Sequence, residues 1–146
     1  PSEGVRLLHV DDVIGSSLDE PGEPFLAPVM TVRRNRFDSR LIEPGPPAIL
    51  TDNGIVLMYN SSNSLELGDA TLADKSYYAG QVLLDTADPT VVIARSTEPF
   101  FGPEKDYELQ GQFNHCCFLQ GMVRFKGEWL LYYGTADSKI AVAAYR

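Results

Sequence analysis

Positive charge is scarce in this chain: 12 lysines and arginines stand against 20 aspartates and glutamates, for a net charge of −8. Phosphate backbones and anionic lipid surfaces are gripped through Lys/Arg-lined faces. Nucleic acid and membrane surfaces are therefore not expected partners. Long apolar runs are missing too, and none approaches the roughly 20 residues of a membrane-spanning helix. Helix signals are few: no stretch of about a dozen residues keeps a 3.6-residue apolar period free of Gly and Pro. There are only two histidines, and the two cysteines, Cys116 and Cys117, are neighbours. That leaves no ligand spacing for a metal ion, and no metal or other cofactor is expected. Neighbours in a strand point to opposite faces, so the cysteines read as reduced, partly buried thiols, with cytoplasmic and exported locations both open. There is no P-loop, no GxGxxG before a helix and no GxSxG elbow. The first residue is Pro1, with no charged-then-apolar leader pattern after it, so further sequence is expected upstream.

Strand signals are plentiful. Short runs rich in β-branched or aromatic residues occur at Val5–Val10, Pro28–Arg33, Ala48–Leu50, Gly54–Tyr59, Tyr77–Asp85, Val91–Ser96, Asn114–Leu119, Met122–Phe125, Trp129–Tyr133 and Ile140–Tyr145. Turn chemistry separates them, as at Thr51-Asp52-Asn53-Gly54 and Phe125-Lys126-Gly127-Glu128. An internal repeat is visible: Ala48 to Tyr59 aligns without a gap on Gly121 to Tyr132. Each copy is a strand, a tight turn at Gly and a second apolar strand ending in Tyr, and a further strand follows each. A hairpin unit recurring in this way points to an all-β fold of propeller blades or a sandwich. Two such units do not close a ring, because propellers need about four or more blades.

Four segments carry possible chemistry. Residues 37–48 hold Glu43 immediately before Pro44-Gly45-Pro46-Pro47. That proline-rich stretch reads as a stiff turn rather than a ladder strand, and a rigid loop presenting a carboxylate suits a catalytic base. Tyr59-Asn60-Ser61-Ser62-Asn63 reads as polar residues at a strand end, able to meet sugar hydroxyls or to form a turn. Asp106 to Phe118 mixes acids, amides and His115. Trp129 to Ser138 sets aromatics beside Asp137, an apolar platform with an acceptor. His9 has no polar cluster nearby and is assigned no role.

Taken in order, these segments resemble glycoside hydrolase family 130. The stretches that carry the resemblance are Glu43 to Asn60, Tyr78 to Arg95, Pro99 to Glu104, Tyr107-Glu108 with Gly111, and Leu131 to Asp137. The resemblance implies a five-bladed β-propeller acting on β-mannosides, with inverting phosphorylases and inverting hydrolases among its members. It implies about two full blades here plus a partial N-terminal one, divided as a partial blade and loop at 1–47 and blades at 48–100 and 101–146. The matching region corresponds to the C-terminal half of the family domain. The family's general-acid Asp lies in the other half and has no counterpart here, so this chain alone is expected to lack the general acid. Family phosphorylases carry a phosphate-binding His where this chain has Asn60, and a Lys aligned with Leu41. Glu43 stands where they have a small residue. Losing cations and gaining a carboxylate disfavours an anionic acceptor. The resemblance therefore implies an inverting hydrolase with Glu43 as general base, the two carboxyl groups about 6.5–9.5 Å apart. The alternatives are a phosphorylase of the same family, or a fragment that binds sugar or only packs. By the same resemblance Asp137 and Glu108 would bind substrate hydroxyls, with Asn60, Tyr78, Gln81 and His115 near the site. The expected partners are an oligosaccharide substrate and either the missing N-terminal half or a second copy.

Overall fold

The computed structural model describes residues 5–8 and 26–146, with side chains from Val29 onward. His9 and the ends of the first two expected strands' connection lie outside the described residues. The described residues form ten strands: β1 (Val5–Leu8), β2 (Leu26–Met30), β3 (Leu41–Pro44), β4 (Ile49–Thr51), β5 (Gly54–Ser62), β6 (Tyr77–Leu84), β7 (Val92–Arg95), β8 (Cys117–Phe125), β9 (Glu128–Thr135) and β10 (Lys139–Tyr145). The single helix among the described residues, α1 (Asp106–Leu109), is one turn long. Nothing among the described residues is a helix long and apolar enough to cross a membrane. The chain is all-β with almost no helix, as expected.

The strands form three antiparallel sheets. β1 pairs with β2. β3, β5, β6 and β7 run side by side, with β4 also on β5, and the third sheet has the order β10-β9-β8. The internal repeat is visible in the pairing, since β4-β5-β6 and β8-β9-β10 have the same order. The two hairpin glycines, Gly54 (φ 137°) and Gly127 (φ 87°), take the positive φ that their turns require.

Leu41–Pro44 departs from the sequence expectation. It is a strand, and Glu43 lies opposite Asn60. Pro44 is tolerated because β3 is an edge strand, where a missing N–H breaks no interior ladder. β3 and β4 pair with successive parts of β5, so together they make one edge interrupted by Gly45-Pro46-Pro47-Ala48. The Gly45 N–H still reaches the Met58 carbonyl at 3.0 Å. The sheet therefore begins before residue 48. Asn60, Ser61 and Ser62 continue β5 rather than form a turn, and all three are fully buried. Asn114–Leu119 and Met122–Phe125 merge into the single strand β8, whose register slips between Leu119 and Gly121. One extra residue at such a bulge swaps the faces that follow it.

Alternation gives each face of the central sheet its own core. Tyr59, Val82 and Leu84 pack with Met30, Phe37 and Ile42 on one side. On the other, Ala79 and Met58 pack against Cys117, Leu119, Leu131 and Tyr133 of the third sheet. The first core encloses a charge cluster. Asp38, fully buried, is met by Arg33 from Nε and Nη2, by Arg95 Nη2 and by the Tyr59 hydroxyl at 2.9 Å.

Candidate active site

The registers of β3, β5 and β6 set two rows of residues on the face that looks toward the third sheet. One row is Glu43, Asn60 and Ala79. The next is Leu41, Ser62 and Tyr77. Asn60 is fully buried and its amide joins the two sheets. Its Nδ2 donates to the carbonyls of Leu119 (3.0 Å) and Pro44 (3.3 Å), and its Oδ1 accepts the Leu119 N–H at 2.7 Å. Both amide donors are thus spent on backbone. Asn60, expected near the sugar site, thus ties the backbone beside Glu43 to β8.

Tyr77 stands where the two sheets meet. Its N–H donates to the His115 carbonyl at 2.8 Å, and it forms a parallel bridge with Cys116. Phe113 packs edge-on against its ring at 5.6 Å, and Phe118 packs tilted at 5.8 Å. Burial pushes the phenol's pKa up. The charge on Glu43 pushes it further, Arg40 opposes, and Cys116 and Asp137 add to the rise. Glu43, Arg40 and Asp137 are therefore all within electrostatic reach of one ring. Arg40 is the cation of the group, and its Nη1 donates to Ser62 Oγ at 3.3 Å.

Asp137 arrives from the β9–β10 turn. Ala136 (φ 46°) and Asp137 (φ 51°) are both left-handed, as is His115 (φ 55°) on the facing segment. A non-glycine residue in that region costs about 1–2 kcal/mol and persists where the surroundings over-determine it. Here the Ala136 N–H donates to the Cys116 carbonyl at 2.9 Å and the Phe113 N–H to the Ala136 carbonyl at 3.1 Å. Ser138 Oγ accepts the Gln112 N–H at 3.0 Å. Asp137 also borders a hollow of about 610 Å³ with Tyr132, Gly134 and Lys139.

Both cysteines are free and buried. Burial, with Asp137 adding, pushes the Cys116 thiol up to about 12. Cys117 is raised by burial and then by Glu108. Neither is poised as a nucleophile. No group of three His, Cys, Asp or Glu side chains among the described residues could hold a metal ion.

The remaining candidates lie elsewhere. Tyr78 points to the opposite face from Tyr77, packs on the first core and shares a cavity of about 590 Å³ with Glu108, Phe101 and Tyr133. Glu108 is 3% exposed, and both its oxygens are occupied. Oε2 accepts the N–H groups of Glu104 and Lys105 at 2.8 Å, and Oε1 accepts the Tyr133 hydroxyl at 2.7 Å. Its carboxylate is engaged within the protein as the cap of α1. Gln81 lines a groove of about 560 Å³ between the sheets with Met58, Phe101, Met122 and Trp129. Glu43, Asp137 and the His115 backbone thus gather around Tyr77, while Tyr78, Gln81 and Glu108 do not. Tyr77 was missed by sequence reasoning. Its signal was the two-residue alternation that puts it on Glu43's face, readable only once β3 is recognised as a strand.

The model of a family described as beta-1,4-mannooligosaccharide phosphorylase matches residues 9–146. A beta-1,2-mannobiose phosphorylase of Thermoanaerobacter sp. (strain X514) is 32% identical over 114 residues, 78% of this chain and 35% of the relative. A 1,2-beta-oligomannan phosphorylase of the same organism is 33% identical over 121 residues, 83% of this chain and 36% of the relative. One solved structure superposes with a TM-score of 0.81 at 48% identity, over 83% of this chain and 34% of the other. It comes from work stating that the GH130 family of mannoside phosphorylases contains glycoside hydrolases that target beta-1,2 mannosidic linkages in Candida mannan. The chain spans about a third of the length of the curated relatives it matches.

Proposed function

Because this chain belongs to glycoside hydrolase family 130, we propose that the full-length protein cleaves β-mannosides, β-1,2-linked ones first among them, with inversion at the anomeric carbon. The observation that carries the site is placement: Glu43 and Tyr77 share one sheet face in adjacent rows, Arg40 donates to Ser62, which pairs with Tyr77, and the Asp137 turn is tied to Cys116, which bridges to Tyr77. Among the described residues, neither Glu43 nor Asp137 is held in a hydrogen bond or ion pair. Carboxylates left without protein donors at an open sheet end suit sugar hydroxyls, which supply donors of their own.

The acceptor of the mannosyl group is the point on which two readings divide. The named curated relatives are phosphorylases, which favours orthophosphate over the water that the sequence led us to expect. Arg40 would supply a cation for it. Under this reading Glu43 contacts the sugar, because a carboxylate beside the phosphate would repel it. Hydrolysis is the second reading. It is favoured by the free Glu43 carboxylate and by the 48% identity to the structure described with glycoside hydrolases. There Glu43 takes a proton from water as it attacks the anomeric carbon.

Product analysis separates the readings. Full-length protein is incubated with β-1,2-mannobiose in buffer with and without phosphate. Phosphorolysis yields mannose 1-phosphate and stops without phosphate, whereas hydrolysis yields two mannoses in both. Glu43→Gln is expected to leave folding intact. If Glu43 is the base of a hydrolysis, the variant loses at least about 100-fold in kcat. A loss under tenfold rules that role out.

A further inference from the structure

We propose that Tyr77 is a substrate-contacting residue whose hydroxyl donates a hydrogen bond to a sugar oxygen between Glu43 and Asp137; the proposal rests on the mannoside reading for the identity of the sugar only. Three observations carry it. The first is placement. Glu43 and Tyr77 share one face of the central sheet, in adjacent rows and two strands apart. That is about 10 Å across the sheet, with Asn60 and Ser62 of β5 between them. The bridge from Tyr77 to Cys116, and the Ala136 N–H on the Cys116 carbonyl, bring the Asp137 turn to the same place from the other sheet.

The second observation is a hydroxyl without a task in the fold. The Tyr59 and Tyr133 hydroxyls are bound to Asp38 and Glu108. The Tyr77 hydroxyl has no partner among the described residues. No buried side-chain nitrogen or oxygen among them lacks a partner, so this hydroxyl reaches solvent. The third is rigidity. Phe113 and Phe118 hold the ring from two sides, and the N–H bond to the His115 carbonyl fixes its backbone. A donor whose direction is set before the ligand arrives loses little entropy on binding.

The chemistry is complementary. Ionised carboxylates only accept hydrogen bonds, so two of them alone cannot satisfy a sugar oxygen that needs a donor. A phenol between them supplies that donor. The trio Glu43, Tyr77 and Asp137 therefore matches neighbouring hydroxyls of a neutral pyranoside, each of which both donates and accepts.

The test is Tyr77→Phe in the full-length protein. The variant keeps the ring and removes only the unpartnered hydroxyl, so its melting temperature should stay within about 1 °C of the parent. The expected result is a fall of about tenfold in kcat/KM on β-1,2-mannobiose, the cost of one lost hydrogen bond to a ligand. Calorimetric titration with a panel of methyl pyranosides should show a matching loss of affinity. An active parent and a variant within twofold of it in both measurements overturn the proposal. If the parent cleaves no mannoside but binds another pyranoside through Tyr77, the functional reading fails and this proposal stands. If the parent binds no pyranoside, both are overturned.

Discussion

Glu108 keeps a charge in a place that is 3% exposed because three donors meet it: the N–H groups of Glu104 and Lys105 and the Tyr133 hydroxyl. Burial raises its pKa, but the hydrogen bonds outweigh burial and leave the group below its ordinary value of 4.5. A carboxylate with a depressed folded-state pKa adds stability that is complete above the unfolded value. That stability drains away as pH falls through the folded value. Glu108→Gln should therefore destabilise the protein at neutral pH by about 1–3 kcal/mol, since an amide N–H₂ then faces a donor. Urea unfolding from neutral pH down to about pH 3 should show the parent losing stability more steeply than the variant below about pH 4.5. Parallel curves would assign the acid sensitivity to other groups. Sequence alone marked Glu108 as a candidate but could not tell a ligand-binding carboxylate from a capping one. That distinction lies in which backbone N–H groups it meets, and a residue string does not show them.

Among the elements, β5 and β6 show how much of the sheet was legible. Both strands were expected from their apolar runs, and the hairpins at Gly54 and Gly127 from their turn chemistry. β3 was not, because proline argues against a ladder strand and the tolerance of an edge position depends on which strands lie beside it. The same gap hid Tyr77 and exchanged it for its neighbour Tyr78, since one residue along a strand is the opposite face. The β5–β6 pair also holds a close contact. Tyr59 lies opposite Gly80, and a Cβ on Gly80 would come within 2.2 Å of Tyr59 Cζ. The ring covers the glycine while its hydroxyl reaches Asp38. Gly80→Ala should push the ring off this seat and cost about 1–3 kcal/mol. The expected sign is a lower urea midpoint with an unchanged m-value. An unchanged midpoint would mean that the ring can move aside without cost.

At the scale of the molecule, the third sheet has one face packed and one bare. Leu131, Tyr133, Leu119 and Cys117 face inward. On the outer face Ile140 is 82% exposed and Phe125 58%, with Val123, Tyr132 and Val142 also exposed. The register places all five on one surface: Ile140 with Gly134, Val142 and Gly121 with Tyr132, and Val123 and Phe125 two and four residues beyond Gly121. β10 is also an edge strand with nothing paired on its outer side among the described residues. A contiguous apolar face beside an unpaired edge is a site of association. In a protein of several blades another sheet would cover it, and the chain spans only about a third of its curated relatives. The 146-residue chain prepared by itself has only further copies of itself to offer. Sedimentation should therefore show concentration-dependent association. Ile140→Glu combined with Val142→Lys should shift it toward monomer, because charges opposite apolar neighbours are costly to bury. A parent chain that sediments as a single monomer at about 100 µM, tight enough to reveal a contact worth roughly 5–6 kcal/mol, would show that this face is tolerated bare.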